Sequence, residues 1–290
     1  MTIFELVKIA LDELYAEGRK RYGDKLDAEI LEKVKYLKNS YTLLNDSRRI
    51  PVDYEDPATR FAYVYKYVAA HGDYVAQLLQ KLKSARGGKA FDGEVLRVSC
   101  IGGGPGSDII GILKYLADYS GAETITKVVC YLLDKEQAWA DSWTELDSGL
   151  QLDIQLNVNF QKMDVTDPVS WSSQTKFLQA DLFTLSYFVS EIKALDERGA
   201  LDKFWQSLMS EAKPGALFLY DDNGHTDFTD YFDAKWKAAG FHCILATDNF
   251  AITPQTDEQA SSLNEYKSKF GDWPKLRSQL TFRILQKPTN

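Results

Sequence analysis

Apolar residues recur at helical spacing through the first 90 residues and then give way to short, dense apolar runs. Ile3, Val7, Ala10 or Leu11 and Leu14 form one stripe, and Ile30, Val34, Leu37 and Tyr41 form a second, so two amphipathic helices are predicted. The stretch NDSRRIPVDYEDPATR, with Pro51 and Pro57 among Asp and Ser, breaks this pattern. A third helix is expected from about Thr59 through FAYVYKYVAAHGDYVAQLLQKL. The glycine-containing segment SARGGKAFDGE then links to the next part.

Beyond residue 95 the runs LRVSCI, KVVCYLL, LNVNFQKM, LQADLFTLSYF and ALFLYDD are separated by stretches of helical period. Strands alternating with helices in this way predict a doubly wound parallel sheet. FHCILATDNFAI and LRSQLTFRILQK follow as a pair and predict an antiparallel addition. The expected fold is therefore α/β, a Rossmann-like seven-stranded sheet with an antiparallel C-terminal strand and an N-terminal helical extension. Residues 1–90 are expected to form a helical cap and residues 91–290 the core.

Composition narrows the function classes. A chain of 290 residues, 44% hydrophobic, can bury a sizeable core. No apolar run approaches the roughly 18 residues needed to span a bilayer, and the opening MTIFELVKIALDELYAEGRK carries acids, unlike a signal peptide. A cytoplasmic protein is expected. The net charge of -8 disfavours a partner held through nucleic-acid phosphates, so small-molecule or protein substrates gain weight, with an RNA-directed enzyme kept as a variant. Cys100, Cys130 and Cys243 lie far apart beside apolar runs and read as buried thiols. With only His71, His225 and His242 besides, no metal-ligand spacing arises and no metal is expected.

The stretch LRVSCIGGGPGSDIIGILKYL concentrates the candidate chemistry. Gly102, Gly103, Gly104 and Gly106 fall between a predicted strand and a predicted helix, more glycine than one tight turn requires. In an open parallel sheet this turn lies where ligands approach backbone amides at a helix start. The spacing departs from the dinucleotide fingerprint G-x-G-x-x-G, whose third glycine would have to be replaced by Ser107. Asp134 closes the second strand, where a carboxylate can accept both hydroxyls of a ribose. Asp164 follows the third, where one can accept from an exocyclic amine.

From Leu96 to about Lys287 the chain resembles the core of class I S-adenosylmethionine-dependent methyltransferases. The resemblance implies that Gly102, Gly104 and Gly106 lie against the cofactor, that Asp134 binds its ribose and that Asp164 meets the adenine amine, with Val165 on the adenine face. KPGALFLYDD is similar to the family's turn into strand five, at Pro214 and Gly215. The family carries an acid two residues before the first loop glycine, and Cys100 stands there instead. The cofactor's amino group then falls to main-chain carbonyls or to Asp108, which equally suits a helix-start acid favoured by the macrodipole.

The same resemblance implies that the reacting methyl lies near the end of strand four, at Ser186, Tyr187 and Phe188. The Asn-Pro-Pro-Tyr type of motif, used on amino groups of nucleic-acid bases or glutamine, is missing there. Tyr187 is a candidate wall of the substrate pocket or hydrogen-bond partner of the nucleophile, and His225, in the polar cluster DDNGHTDF, a candidate base. Glu191 either binds a cationic substrate or is solvated. Trp139 and Trp143 either cover the adenine or pack under the sheet. Arg60, Tyr63 and Tyr67 share a helix face and either close over the ligand or pack the extension onto the sheet. Substrate choice is expected to rest with the cap and with the insertion TPQTDEQASSLNEYKSKFGDWP. Methyl transfer to oxygen or nitrogen of a small molecule or protein side chain is the expected function. A catalytically silent methyltransferase-like subunit and a nicotinamide-dependent oxidoreductase are the alternatives.

Overall fold

A computed structural model describes residues 2–44, 46, 52–118, 122–254, 262–271 and 273–289. Asn45 and residues 47–51 of the predicted break, and residues 255–261 and Asp272 of the predicted insertion, lie outside them.

The helical stripes become α1 (Ile3–Tyr22) and α2 (Leu26–Thr42). Thr2 and Glu5 form a reciprocal capping box at the start of α1, satisfying two amide donors that the first turn leaves open. The third predicted helix is one continuous run in three parts: α3 (Pro57–Tyr63), a π-helical turn (Val64–Val68) and α4 (Ala69–Ala85). Asp56 caps α3 and is itself nearly buried. Its carboxylate accepts from Tyr22 Oη at 2.9 Å and from the Ala58 amide at 3.1 Å, and pairs with Lys33 Nζ at 2.9 Å. One acid thus ties α1, α2 and α3 together. These partners hold its carboxyl below the ordinary range against the opposing effect of burial.

The remaining chain builds a seven-stranded sheet in the order β3-β2-β1-β4-β5-β7-β6. The strands are β1 (Val95–Ile101), β2 (Lys127–Asp134), β3 (Gln155–Lys162), β4 (Leu182–Ser186), β5 (Leu217–Asn223), β6 (His242–Ile252) and β7 (Ser278–Gln286). β1 to β5 pair in parallel, and β7 enters antiparallel between β5 and β6. This is the architecture that the resemblance to class I methyltransferases implies. β4 is shorter than predicted because Thr175–Gln179 turns as a 3-10 helix before it. The connecting helices are α5 (Ser107–Asp118), α6 (Trp139–Ser148), α7 (Phe188–Ile192), α8 (Asp202–Glu211), α9 (Thr226–Ala238) and, within the insertion, α10 (Asn264–Phe270). No helix among the described residues is long and apolar enough to cross a membrane.

One apolar cluster runs from Val7, Leu11 and Phe61 through Val75 and Leu79 to Ile109, Val98 and Cys130, so the N-terminal helices share their core with the sheet. Contact between α4 and α5 is especially close. A Cβ at Gly72 would stand 3.1 Å from Ser107 O, and one at Gly111 would penetrate Gly72 O and stand 2.8 Å from Val75 Cβ. The atom met in the worst clash is a backbone carbonyl oxygen, which cannot swing aside. The substitution Gly111→Ala is therefore expected to lower folding stability by about 1–3 kcal/mol, the usual cost of overpacking, read as a fall in the denaturant midpoint at unchanged slope.

Candidate functional site

The strand order reverses beside β1, whose neighbours β2 and β4 lead away in opposite directions, and ligands of open α/β sheets bind at such a point, outside the carboxyl ends of the strands. A cavity of about 240 Å³ lies there. From the sheet it takes Gly102 and Gly104 after β1, Asp134 at the end of β2, Met163, Asp164 and Val165 after β3, Ser186 at the end of β4 with Tyr187 after it, and Asn223 from β5. Tyr41, Leu44, Val52, Tyr54, Tyr63, Tyr67 and His71 reach it from the N-terminal helices and their connection.

The glycine turn is shaped by conformation and by space. Gly102 and Gly104 have φ of 63° and 50°, a region that side chains rarely adopt. A Cβ at Gly104 would meet nothing nearer than Trp139 at 3.9 Å, so this glycine leaves the backbone open to the cavity. Gly104 N–H donates to Asp134 Oδ2 at 3.0 Å and Glu136 N–H to Oδ1 at 2.9 Å, which locks the first turn to the second. Asp164 accepts from the Thr166 amide and hydroxyl through Oδ1, at 2.9 and 2.6 Å, while the neighbouring Asp167 caps the short turn at Pro168–Ser170. Val165 is buried beside Asp164 in the cavity wall.

Eight expected site residues therefore meet in one cavity: Gly102, Gly104, Asp134, Asp164, Val165, Ser186, Tyr187 and Tyr63. Three others do not line it. At Gly106 a Cβ would run into the Trp143 ring, so that glycine admits a tryptophan from α6 rather than a ligand. Asp108 lies 2% exposed, its Oδ2 accepting from Thr184 Oγ1 of β4. His225 caps α9, its Nδ1 accepting from the Asp227 amide at 3.3 Å. The two tryptophans divide between the expectations, since Trp139 lines the cavity and Trp143 packs. Arg60 also departs from its expected surface. It is 2% exposed and forms a two-pronged pair with Glu17 of α1 at 2.7 and 2.8 Å, so it fastens α3 to α1.

Tyr187 follows β4 and precedes α7 in the left-handed region, with φ 54° and ψ 16°, an outlier for a bulky side chain. Its amide donates to Asp221 O at 2.7 Å and its phenol to Ser278 Oγ at 3.2 Å. Burial, with the nearby charge of Asp221, pushes that phenol well above its ordinary value. The ring stacks on His71 with centroids 4.0 Å apart and planes 10° from parallel. A row of rings continues from there: His71 to Tyr67 at 5.6 Å, Tyr67 to Tyr63 at 5.3 Å, and Tyr63 to Trp139 at 5.3 Å. His71, Tyr41, Tyr54 and Lys275 were not singled out by sequence. Only His71 carried a signal, its position four residues beyond Tyr67.

Behind the lining, carboxyls gather at the strand ends. Burial raises Asp108 and Asp134 to about 6 and Asp222 to about 7, against hydrogen bonds from Thr184, from the Glu136 and Gly104 amides, and from Ser190 respectively. Asp221 is driven well above the ordinary range by burial, with repulsion from Asp108 and Asp222 adding to it and the Ser186 hydroxyl opposing it. Each of these groups keeps a proton in the folded chain at a pH where the unfolded chain, with a carboxyl value of 3.8, has released it. Their effect on stability is therefore most favourable below about pH 4 and is lost as pH rises through the raised values, which are about 6 for Asp108 and Asp134 and about 7 for Asp222. Asp221→Asn removes one such group while keeping an acceptor for Ser186 Oγ, which now donates to Oδ1 at 2.7 Å. Thermal melts should place this variant above the wild type at about pH 8 and level with it near pH 4.

Among solved structures the chain is similar to the N-methyltransferase NodS from Bradyrhizobium japonicum WM9 in complex with S-adenosyl-L-homocysteine, at 9% identity and a TM-score of 0.42 over 86% of this chain and 99% of that one. It is similar to the glycopeptide N-methyltransferase MtfA at 11% identity and a TM-score of 0.44, over 73% of this chain and 96% of that one. A third is the 16S rRNA methylase ArmA, at 11% identity and a TM-score of 0.43, over 86% and 98% of the two chains. No protein-family model matches the chain, and no curated protein matches it in sequence.

Proposed function

We propose that this chain is an S-adenosylmethionine-dependent methyltransferase acting on oxygen or nitrogen of a small molecule or protein side chain. The observation that carries the reading is the convergence of Gly102, Gly104, Asp134, Asp164 and Val165, from three successive strand ends, on one cavity.

The residues present fit that cofactor. Gly102 and Gly104 would hold its methionine portion, with the backbone of Gly104 open to the cavity. Asp134 is an acceptor for ribose hydroxyls, and Asp164 for the adenine amine. Leu44, Met163 and Val165 supply apolar wall for a flat ring. Cys100 is fully buried and Asp108 is turned toward β4, so neither gives the cavity an acid for the cofactor's ammonium. Glu136 and Glu191 are lining acids on the Asp134 side.

When bound, the cofactor supplies an electrophilic methyl on a sulfonium, a good leaving group. The chain's task is then mainly to aim an acceptor and exclude water, and orientation of this kind accounts for much of the rate of such reactions. Ser186 and Tyr187 form the expected acceptor end. The tyrosine row along α3 and α4 closes the side of the cavity that faces away from the sheet. The acid-rich lining disfavours a polyphosphate acceptor.

Calorimetric titration with S-adenosylhomocysteine tests the reading. Binding in the micromolar range is expected, and Asp134→Ala, checked for intact fold by circular dichroism, should weaken it by roughly 10- to 150-fold, the loss of a hydrogen bond to a charged group. NADH should not bind. A folded wild type that ignores millimolar S-adenosylhomocysteine would remove this function.

A further inference from the structure

Of the titratable groups around the cavity, His71 is the one at the acceptor end whose ring nitrogen is left unused by the protein. It is 6% exposed, lines the cavity, and lies flat against Tyr187, the residue that follows β4. Its Nε2 is buried and has no hydrogen-bond partner among the described residues. A buried polar atom without a partner is costly, and one on a residue that lines a ligand cavity is explained if a ligand completes it.

We propose that His71 Nε2 takes the proton released by the methyl acceptor; the inference rests on the reading of this cavity as a methyltransferase site. The acceptor's lone pair forms the bond to the methyl carbon as the carbon–sulfur bond breaks, that electron pair leaving with sulfur as a neutral thioether. The acceptor's O–H or N–H proton passes to Nε2, whose lone pair receives it. Charge balances, because one positive charge leaves sulfur and appears on the imidazole.

The surroundings suit an imidazole that starts neutral. Tyr67 and Tyr74 face it from its own helix, Tyr187 from the end of β4, and Lys275 from the segment before β7. Burial, assisted by the Lys275 charge, holds its pKa well below the ordinary 6.5. Other candidates lie elsewhere or are engaged. The Tyr187 phenol donates to Ser278, His225 caps α9 outside the cavity, and Asp134 and Asp164 accept from backbone amides. Stacking on a residue held at φ 54° fixes the imidazole plane, so Tyr187 acts as a positioning residue for it.

The test uses the full chain with ring-15N-labelled histidine, which gives three imidazoles, and His71→Gln to assign the signal. Spectra are recorded from about pH 5 to pH 8 with S-adenosylhomocysteine and then with sinefungin, in which a carbon bearing an amine replaces the methylsulfonium. His71 should stay neutral at pH values where an ordinary imidazole is already protonated, and its Nε2 resonance should differ between the two complexes. His71→Gln should keep S-adenosylhomocysteine affinity within about threefold, as expected of a group that serves the acceptor and not the cofactor. If both ligands bind but the Nε2 resonance is the same in each, or the ring is protonated at neutral pH, or His71→Gln loses the cofactor product, the proton-accepting role is overturned while the methyltransferase reading stands. If neither ligand binds the folded wild type, that reading falls and this inference with it.

Discussion

Helix α4 can lie where it does because two glycines, Gly72 and Gly111, face each other across its contact with α5. Any side chain at Gly111 would enter the backbone of α4, so the two helix axes approach more closely than side-chain ridges normally allow. That approach has consequences on both sides. α5 begins at Ser107, directly after the glycine turn, and is fixed against the sheet through Ile109, Ile112 and Tyr115. α4 begins just before His71 and Gly72, so seating Gly72 on α5 also sets the height of His71 and Tyr67 above the strand ends. The wall of the cavity is thereby positioned by backbone contact, with little freedom to retreat.

Beneath that wall the electrostatics follow from topology. Parallel strands bring their carboxyl ends to one edge, and here those ends carry Asp134, Asp221 and Asp222, with Asp108 reaching β4 from the start of α5. Burial raises each of these four carboxyls, and at Asp221 repulsion from Asp108 and Asp222 adds to it. The charge that remains sits under a lining of aromatic rings, whose faces are also electron-rich. Such a site favours a cation in the cavity, and a sulfonium or a protonated amine meets that condition where a phosphate does not.

Much of this was legible in the sequence, for a reason that also explains what was not. Strand ends are local features: a glycine cluster after LRVSCI, or an acid closing KVVCYLLD, reports its position by its neighbours along the chain. Gly102, Gly104, Asp134 and Asp164 could therefore be placed without knowing the fold's details. Residues misplaced were those whose partner is remote. Gly106 looks like its fellow glycines until Trp143 is seen above it, and Arg60 shares a helical face with Tyr63 on paper but finds Glu17 on α1. His225 occupies a polar cluster after a strand, yet the chain there turns directly into α9 and uses the imidazole as a cap. Tyr41, Tyr54 and Lys275 come to the cavity through tertiary packing, which no short-range pattern encodes.

The π-helical turn at Val64–Val68 joins these two kinds of information. Four residues carry an α-helix about 40° past a full turn, so rings placed every four residues drift around the helix and after eight residues have lost about 80° of alignment. A wider turn with i to i+5 bonding takes up that excess. Placed between Tyr63 and Ala69, it lets Tyr63, Tyr67 and His71 remain on one face with adjacent centroids 5.3 and 5.6 Å apart. The row therefore reaches from Trp139 beside the glycine turn to Tyr187 at the end of β4, and spans the cavity from its expected cofactor end to its expected acceptor end. In a regular helix of the same sequence, seated by the same glycines, Tyr63 would stand about 80° around the helix from His71. The irregularity is thus part of how the N-terminal segment completes the site, since a π turn leaves backbone bonding less regular than α and needs such packing to offset it.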